Sequence, residues 1–147
     1  NQKNSHFSKI QIKEFSILFI MLNHSELLLK KIEDLSKIIF LSEKNESLKK
    51  VIINSLLDGD DREKTKLKIN ADFKELIKEI QENSSIQIIV KAKKNEEILE
   101  LLNDLLIELE ELNNLRKIES LEKELINNLD ENSYSELLKL KSQINRD

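Results

Sequence analysis

The most chemically suggestive run in this 147-residue chain is Asp58-Gly59-Asp60-Asp61, because an Asp-x-Asp pair can hold Mg²⁺ through its carboxylates. A magnesium site of that type sits at a strand end beside further acids. This run instead follows a helical pattern and contains the chain's single glycine, so it reads as a helix stop. The only histidines are His6 and His24, and neither stands at metal-ligand spacing from another ligand. His24 falls in an inter-helix turn, and no Ser–His pair has a third group to orient it. The 28 acids form many carboxylate pairs, which on long helices make a solvated face. No Glu-x-x-His pair is available for a di-iron bundle site. A phosphate-cradling loop needs more than one glycine, and Lys91, Lys93 and Lys94 cluster where they would solvate a junction between helices. With no cysteine, thiolate zinc sites, cysteine nucleophiles and disulfide frameworks are excluded. The expectation is no catalytic residue, no cofactor and no metal: a chain that is not an enzyme by itself.

The elements that would carry any site are helical. Leu and Ile dominate the apolar residues, whereas sheets draw on Val, Thr and aromatics. No proline and one glycine leave almost nothing with which to build tight hairpins. The abundance of Asn, Lys and Ile reads as a bias of the coding genome. A first helix is expected from about Lys9 to Asn23, with Ile12, Phe15, Leu18, Phe19 and Leu22 on one side. Ile17, Ile20 and Met21 widen that surface, as in the central helix of a bundle. Ser25 or Asn23 can cap a short second helix through Leu27, Leu28 and Leu29, and a less regular segment spans Ile32 to Phe40. A third helix, about Asn45 to Leu57, should end at Gly59 in a left-handed cap. Asn70 or Asp72 can cap a fourth, burying Phe73, Leu76, Ile77 and Ile80. Ile86 to Val90 could be extended, but without a partner strand it reads as a buried helical segment.

From Asn95 the apolar spacing of three and four persists through Ile98, Leu102, Leu105, Leu109, Leu112, Leu115, Ile118, Leu121 and Leu125. That predicts one helix of roughly 45–50 Å at about 1.5 Å per residue. Leu129-Asp130-Glu131-Asn132 should stop it. Ser133-Tyr134-Ser135-Glu136 is a capping box opening a last helix. The fold class is therefore all-α: a helical bundle in 1–94, then a long helix and a C-terminal helical hairpin in 95–147.

Charge is unevenly spread around a net −4. Residues 1–57 carry nine Lys against six acids, a balance of +3, and residues 95–136 carry 13 acids against three bases, a balance of −10. Such an acidic arm repels phosphate backbones, so direct nucleic-acid binding is not expected. The longest apolar stretch, Phe15 to Leu22, is far shorter than the ~20 residues of a membrane span, and no signal peptide precedes it. A start at Asn1 reads as a fragment from the C-terminal end of a larger cytoplasmic protein.

Two stretches carry a family resemblance. Lys13-Glu14-Phe15-Ser16-Ile17-Leu18-Phe19-Ile20-Met21-Leu22-Asn23-His24-Ser25-Glu26-Leu27-Leu28 resembles the opening of the helicase-binding C-terminal domain of bacterial DNA primase. There a charged residue and an apolar helix lead into an Asn/Lys-His-Pro-Glu-Leu turn; Ser25 stands in place of the usual proline. Glu119 to Leu125 and Asn132 to Lys141 are similar to the closing hairpin of proteobacterial-type primases. The resemblance implies a bundle plus a hairpin that docks on the N-terminal domain of the hexameric replicative helicase and brings primase to the fork. The zinc-binding and polymerase domains of a full primase would lie before Asn1. On this reading the partner-binding residues are Leu121, Leu125, Tyr134, Leu137, Leu138, Lys141 and Ile144, and the same hairpin could support weak self-association. The alternatives are the helicase N-terminal domain itself, which shares the fold, or a coiled-coil assembly module with residues 95–144 as its arm.

Overall fold

A computed structural model describes residues 2–83, 93–127 and 131–144, with side chains from residue 8 onward. The order is α1 (Gln2–Asn23), a 3₁₀ helix (Ser25–Lys30), α2 (Ile32–Lys37), α3 (Glu43–Leu57), α4 (Arg62–Asn83), α5 (Asn95–Asn127) and α6 (Glu131–Ile144). The fold is all-α, with no strand among the described residues. The Ile86–Val90 segment, Lys91, Leu129, Asp130 and the His6 side chain lie outside what is described.

α1 is the central helix. Every residue from Glu14 to Met21 is buried, including Ile17, Ile20 and Met21, which spacing places on the flanks of the apolar face. α3, α4 and α5 pack around it. Neither Ser25 nor Asn23 caps the short second helix. His24 occupies the cap position without a side-chain bond, and the Asn23 Nδ2 donates back to the Phe19 carbonyl at 2.8 Å. α3 starts two residues before the expected Asn45, because Ser42 is its N-cap and accepts from the Asn45 N–H.

Gly59 ends α3 as expected. At φ +74° it lets its own N–H reach the Leu56 carbonyl while the Asp60 N–H reaches Ser55, the paired bonds of a Schellman cap. Two residues on, Asp61 Oδ1 accepts the Lys64 N–H at 2.7 Å and starts α4. Asp60, its carboxyl held below the ordinary range mainly by Lys68, is ion-paired to Lys68 at 2.5 Å and Lys64 at 3.5 Å. Every part of the Asp58–Asp61 run with an observed bond is thus engaged in joining two helices. Because Asp61 nucleates α4 early, the start expected at Asn70 or Asp72 becomes an interior kink at Phe73 (φ −126°, ψ 20°).

α5 runs 33 residues without interruption. Glu97 accepts the Lys94 N–H at its start. Its first half buries Ile98, Leu102, Leu105, Leu106 and Leu109 in the same core as α1, α3 and α4. The bundle expected in 1–94 is therefore completed by residues 98–109. Beyond Leu112 the stripe changes partner: Ile118 is buried, and Leu121 and Leu125 half-buried, along the half of α5 that pairs with α6. α6 is already helical at Glu131, ahead of the Ser133 N-cap that the capping box predicts. Ser133 consequently sits inside the helix and its hydroxyl bonds Glu124 of α5 at 3.3 Å.

Candidate functional site

Two surfaces stand out, both built on α5. The first begins with the chain between α2 and α3. Residues Ile38 to Ser42 form a strap with no regular secondary structure, so their backbone polar groups need partners from elsewhere. Side chains provide three of them. Glu14 of α1 accepts the Leu41 N–H at 2.7 Å and the Asn45 Nδ2 at 2.8 Å. Glu46 of α3 accepts the Phe40 N–H at 3.0 Å. The Lys49 ammonium donates to the Ile38 carbonyl, pairs with Glu46 at 2.8 Å, and lies 4.9 Å from the Phe40 ring centre. Glu14, Asn45 and Lys49 are each only 1 % exposed. Burial pushes the Glu14 carboxyl up from its ordinary 4.5, opposed by its hydrogen bonds to Asn45 and Leu41.

This latch aims the strap outward. Phe40 is buried and Ile39 is 70 % exposed, the alternation of an extended segment. Across from the strap runs one face of α5, and between them lies a cleft of about 590 Å³. The strap supplies an apolar wall through Ile38 to Leu41, and α5 supplies Leu106 and the 57 % exposed Ile107. Asn113, Asn114, Arg116 and Lys117 line its far end. The Arg116 Nε is buried and has no hydrogen-bond partner among the described residues. Lys31 braces the near end by donating to Asn103 at 2.7 Å.

The second surface is the hairpin. Of the residues expected to bind a partner, Leu137 is buried between the two helices, and Leu121, Leu125 and Ile144 are half-buried. Lys141 is ion-paired to Glu122 across the hairpin at 3.2 Å. Besides Lys141, Tyr134 and Leu138 face outward, 54 % and 51 % exposed and one helical turn apart. Ile126, which the spacing of α5 does not single out, is 83 % exposed near the same end. Leu137 packs inside because it points 100° away from Leu138 around the helix, a distinction invisible until the partner helix is in place.

Sequence reasoning missed Glu14, Asn45, Glu46 and Lys49 entirely. The signal was present for two of them. Glu14 has buried Ile10 four residues before it and buried Ile17 and Leu18 three and four after; Lys49 has buried Ile52 and Ile53 at the same offsets. A charged residue in an apolar register is a buried charge with a job.

Among the described residues no group of His, Asp or Glu is arranged to hold a metal ion, and no helix is long and apolar enough to cross a membrane. No model of a known protein family matches the chain, and neither a curated protein nor a solved structure matches it.

Proposed function

We propose that the chain is a non-catalytic protein-docking module whose C-terminal hairpin binds a partner protein. The observation that carries this is the outward face of the hairpin. Tyr134, Leu138 and Ile126 remain substantially exposed after α5 and α6 have packed against each other. Aromatic and large aliphatic side chains held on rigid helices are what partner pockets recognise. The partner we infer from the resemblance of the two stretches quoted above is the N-terminal domain of a hexameric replicative helicase, with the chain acting in the cytoplasm as the C-terminal part of a DNA primase. The order of bundle, long helix and hairpin supports that reading.

The test is a fluorescence-anisotropy titration of the chain with the helicase N-terminal domain from the same source. Tyr134→Ala and Leu138→Ala should each weaken binding by about 1–3 kcal/mol, and Leu115→Ser, elsewhere on α5, should not. Removing residues 130–147 should abolish it. Full binding by the truncated chain would sink the proposal.

A further inference from the structure

We infer that the cleft between the strap and α5 is a second, separate docking site. It binds an extended peptide segment of a partner protein, one that presents an apolar side chain followed by an acidic side chain. This role goes beyond that of the hairpin and does not depend on the helicase reading.

The extended form follows from the strap. Its groups at Ile38, Phe40 and Leu41 are taken by Lys49, Glu46 and Glu14. The N–H and C=O of Ile39 make no hydrogen bond among the described residues. A short extended backbone fixed from behind, with its middle residue's polar groups free, is an edge on which another extended chain can pair. The Asn113 and Asn114 carboxamides on the opposite wall each offer a donor and an acceptor, the chemistry that a peptide bond requires.

The apolar residue follows from the walls. Ile39 and Ile107 are more than half exposed on either side of the cleft, and Leu106 and Phe40 contribute to its lining. A side chain inserted there removes both isoleucines from water.

The acid follows from Arg116. Its side chain and that of Lys117 line this end of the cleft, and its Nε–H has no acceptor among the described residues. A carboxylate satisfies a guanidinium edge better than any neutral acceptor. The other charges of the cleft place that carboxylate at this end. Asp34 is matched by Lys31 at 3.8 Å and Lys37 by Glu33 at 3.3 Å, and Glu110, further along α5, repels an acid placed mid-cleft.

The experiment is a ¹H–¹⁵N NMR titration of the whole chain, whose 17.3 kDa suits the method. The probe is the acetylated and amidated peptide Gly-Ser-Leu-Asp-Glu-Gly. Saturable movement of the Arg116 Nε–Hε signal together with the Ile39 amide is the expected result. The isosteric peptide with Asn and Gln in place of the acids should bind roughly tenfold more weakly. Arg116→Gln and Ile39→Ser should each weaken the acidic peptide by a similar factor while leaving the hairpin signals in place, which separates loss of the site from loss of the fold. The inference is overturned by the absence of a saturable shift, or by Arg116→Gln binding as well as the parent. It also fails if a neutral peptide with a free C-terminal carboxylate outcompetes the acidic one, or if the cleft shifts depend on protein concentration alone, which would assign the cleft to a second copy. Hairpin binding to a helicase can fail with every one of these outcomes intact.

Discussion

Replacing Lys49 by Met tests whether the strap is held by its polar latch or by the apolar packing of Phe40. Met follows the lysine stem and fills nearly the same volume, so the change opens no cavity in a side chain that is 1 % exposed. What it removes is the ammonium, with its bonds to Glu46 and the Ile38 carbonyl and its place over the Phe40 ring. Breaking a fully buried ion pair by deleting one partner costs about 3–5 kcal/mol, because the other charge is stranded. Glu46 is not fully stranded: its side chain is 15 % exposed, it keeps the Phe40 N–H at 3.0 Å, and Lys50 lies 3.9 Å away. Recovering the desolvation cost of the ammonium offsets part of the remainder. A net loss of about 2–3 kcal/mol is expected, or roughly 5–10 °C in Tm for a chain of this size. Urea unfolding followed by circular dichroism at 222 nm reads the difference. Adding Glu46→Gln should restore at least half, since the amide oxygen can still accept from Phe40 and no charge is left behind. A Lys49→Met protein as stable as the parent would refute the reasoning: the strap would then be seated by Phe40, and the polar groups would contribute position without stability.

Two further perturbations test neighbouring features. Glu14→Gln exploits the buried carboxyl whose proton affinity is raised by burial. The folded chain then holds that proton more tightly than the unfolded chain. Its contribution to stability is complete below pH about 4.5 and is lost as the pH rises through the folded value. The Glu14→Gln variant lacks this titration, and its amide can donate to the unpartnered Asn45 Oδ1 if that carboxamide turns over. Urea midpoints should therefore shift in favour of the variant between pH 4 and pH 7; a constant gap would show that the carboxyl is not perturbed. Gly59→Ala meets no atom within 4 Å but must hold φ +74°, so thermal melts should show a loss of about 1–2 kcal/mol from backbone strain alone. A neutral result would mean that the Schellman cap relaxes to another turn at no cost.

The gross fold was legible because helix periodicity is a local property. The uninterrupted stripe from Ile98 to Leu125 marks one long helix whatever packs on it, and a lone glycine after Leu57 marks a stop because only a left-handed residue closes that cap. The helix starts were less legible. Ser42 and Asp61 begin their helices earlier than the expected starts, since a first turn needs a cap and not a core residue. The strap could not be read from local pattern at all. Its bonds join residues 27, 6 and 11 positions apart, and nothing within Ile38 to Ser42 announces that the acceptors and donors lie on α1 and α3.

The same distinction explains why the hairpin was half legible. Spacing shows which residues of α5 and α6 are apolar, but a two-helix hairpin buries only one stripe of each. Leu137 and Leu138 are equal in sequence and opposite in role, one against α5 and the other facing out. α5 resolves the matter by serving two partners in succession: its first half is a bundle helix held by α1, and its second half is a platform for α6. The basic end of the strap cleft lies where one role gives way to the other, between Leu112, the last residue of α5 that packs on the bundle core, and Ile118 of the hairpin, and its Arg116 and Lys117 are not part of the apolar bundle core. Residues released from both cores along a rigid helix are free to be specific for something else. That is why the basic end of the cleft, set in the otherwise acidic 95–136 segment, reads as a recognition surface and not as leftover solvation.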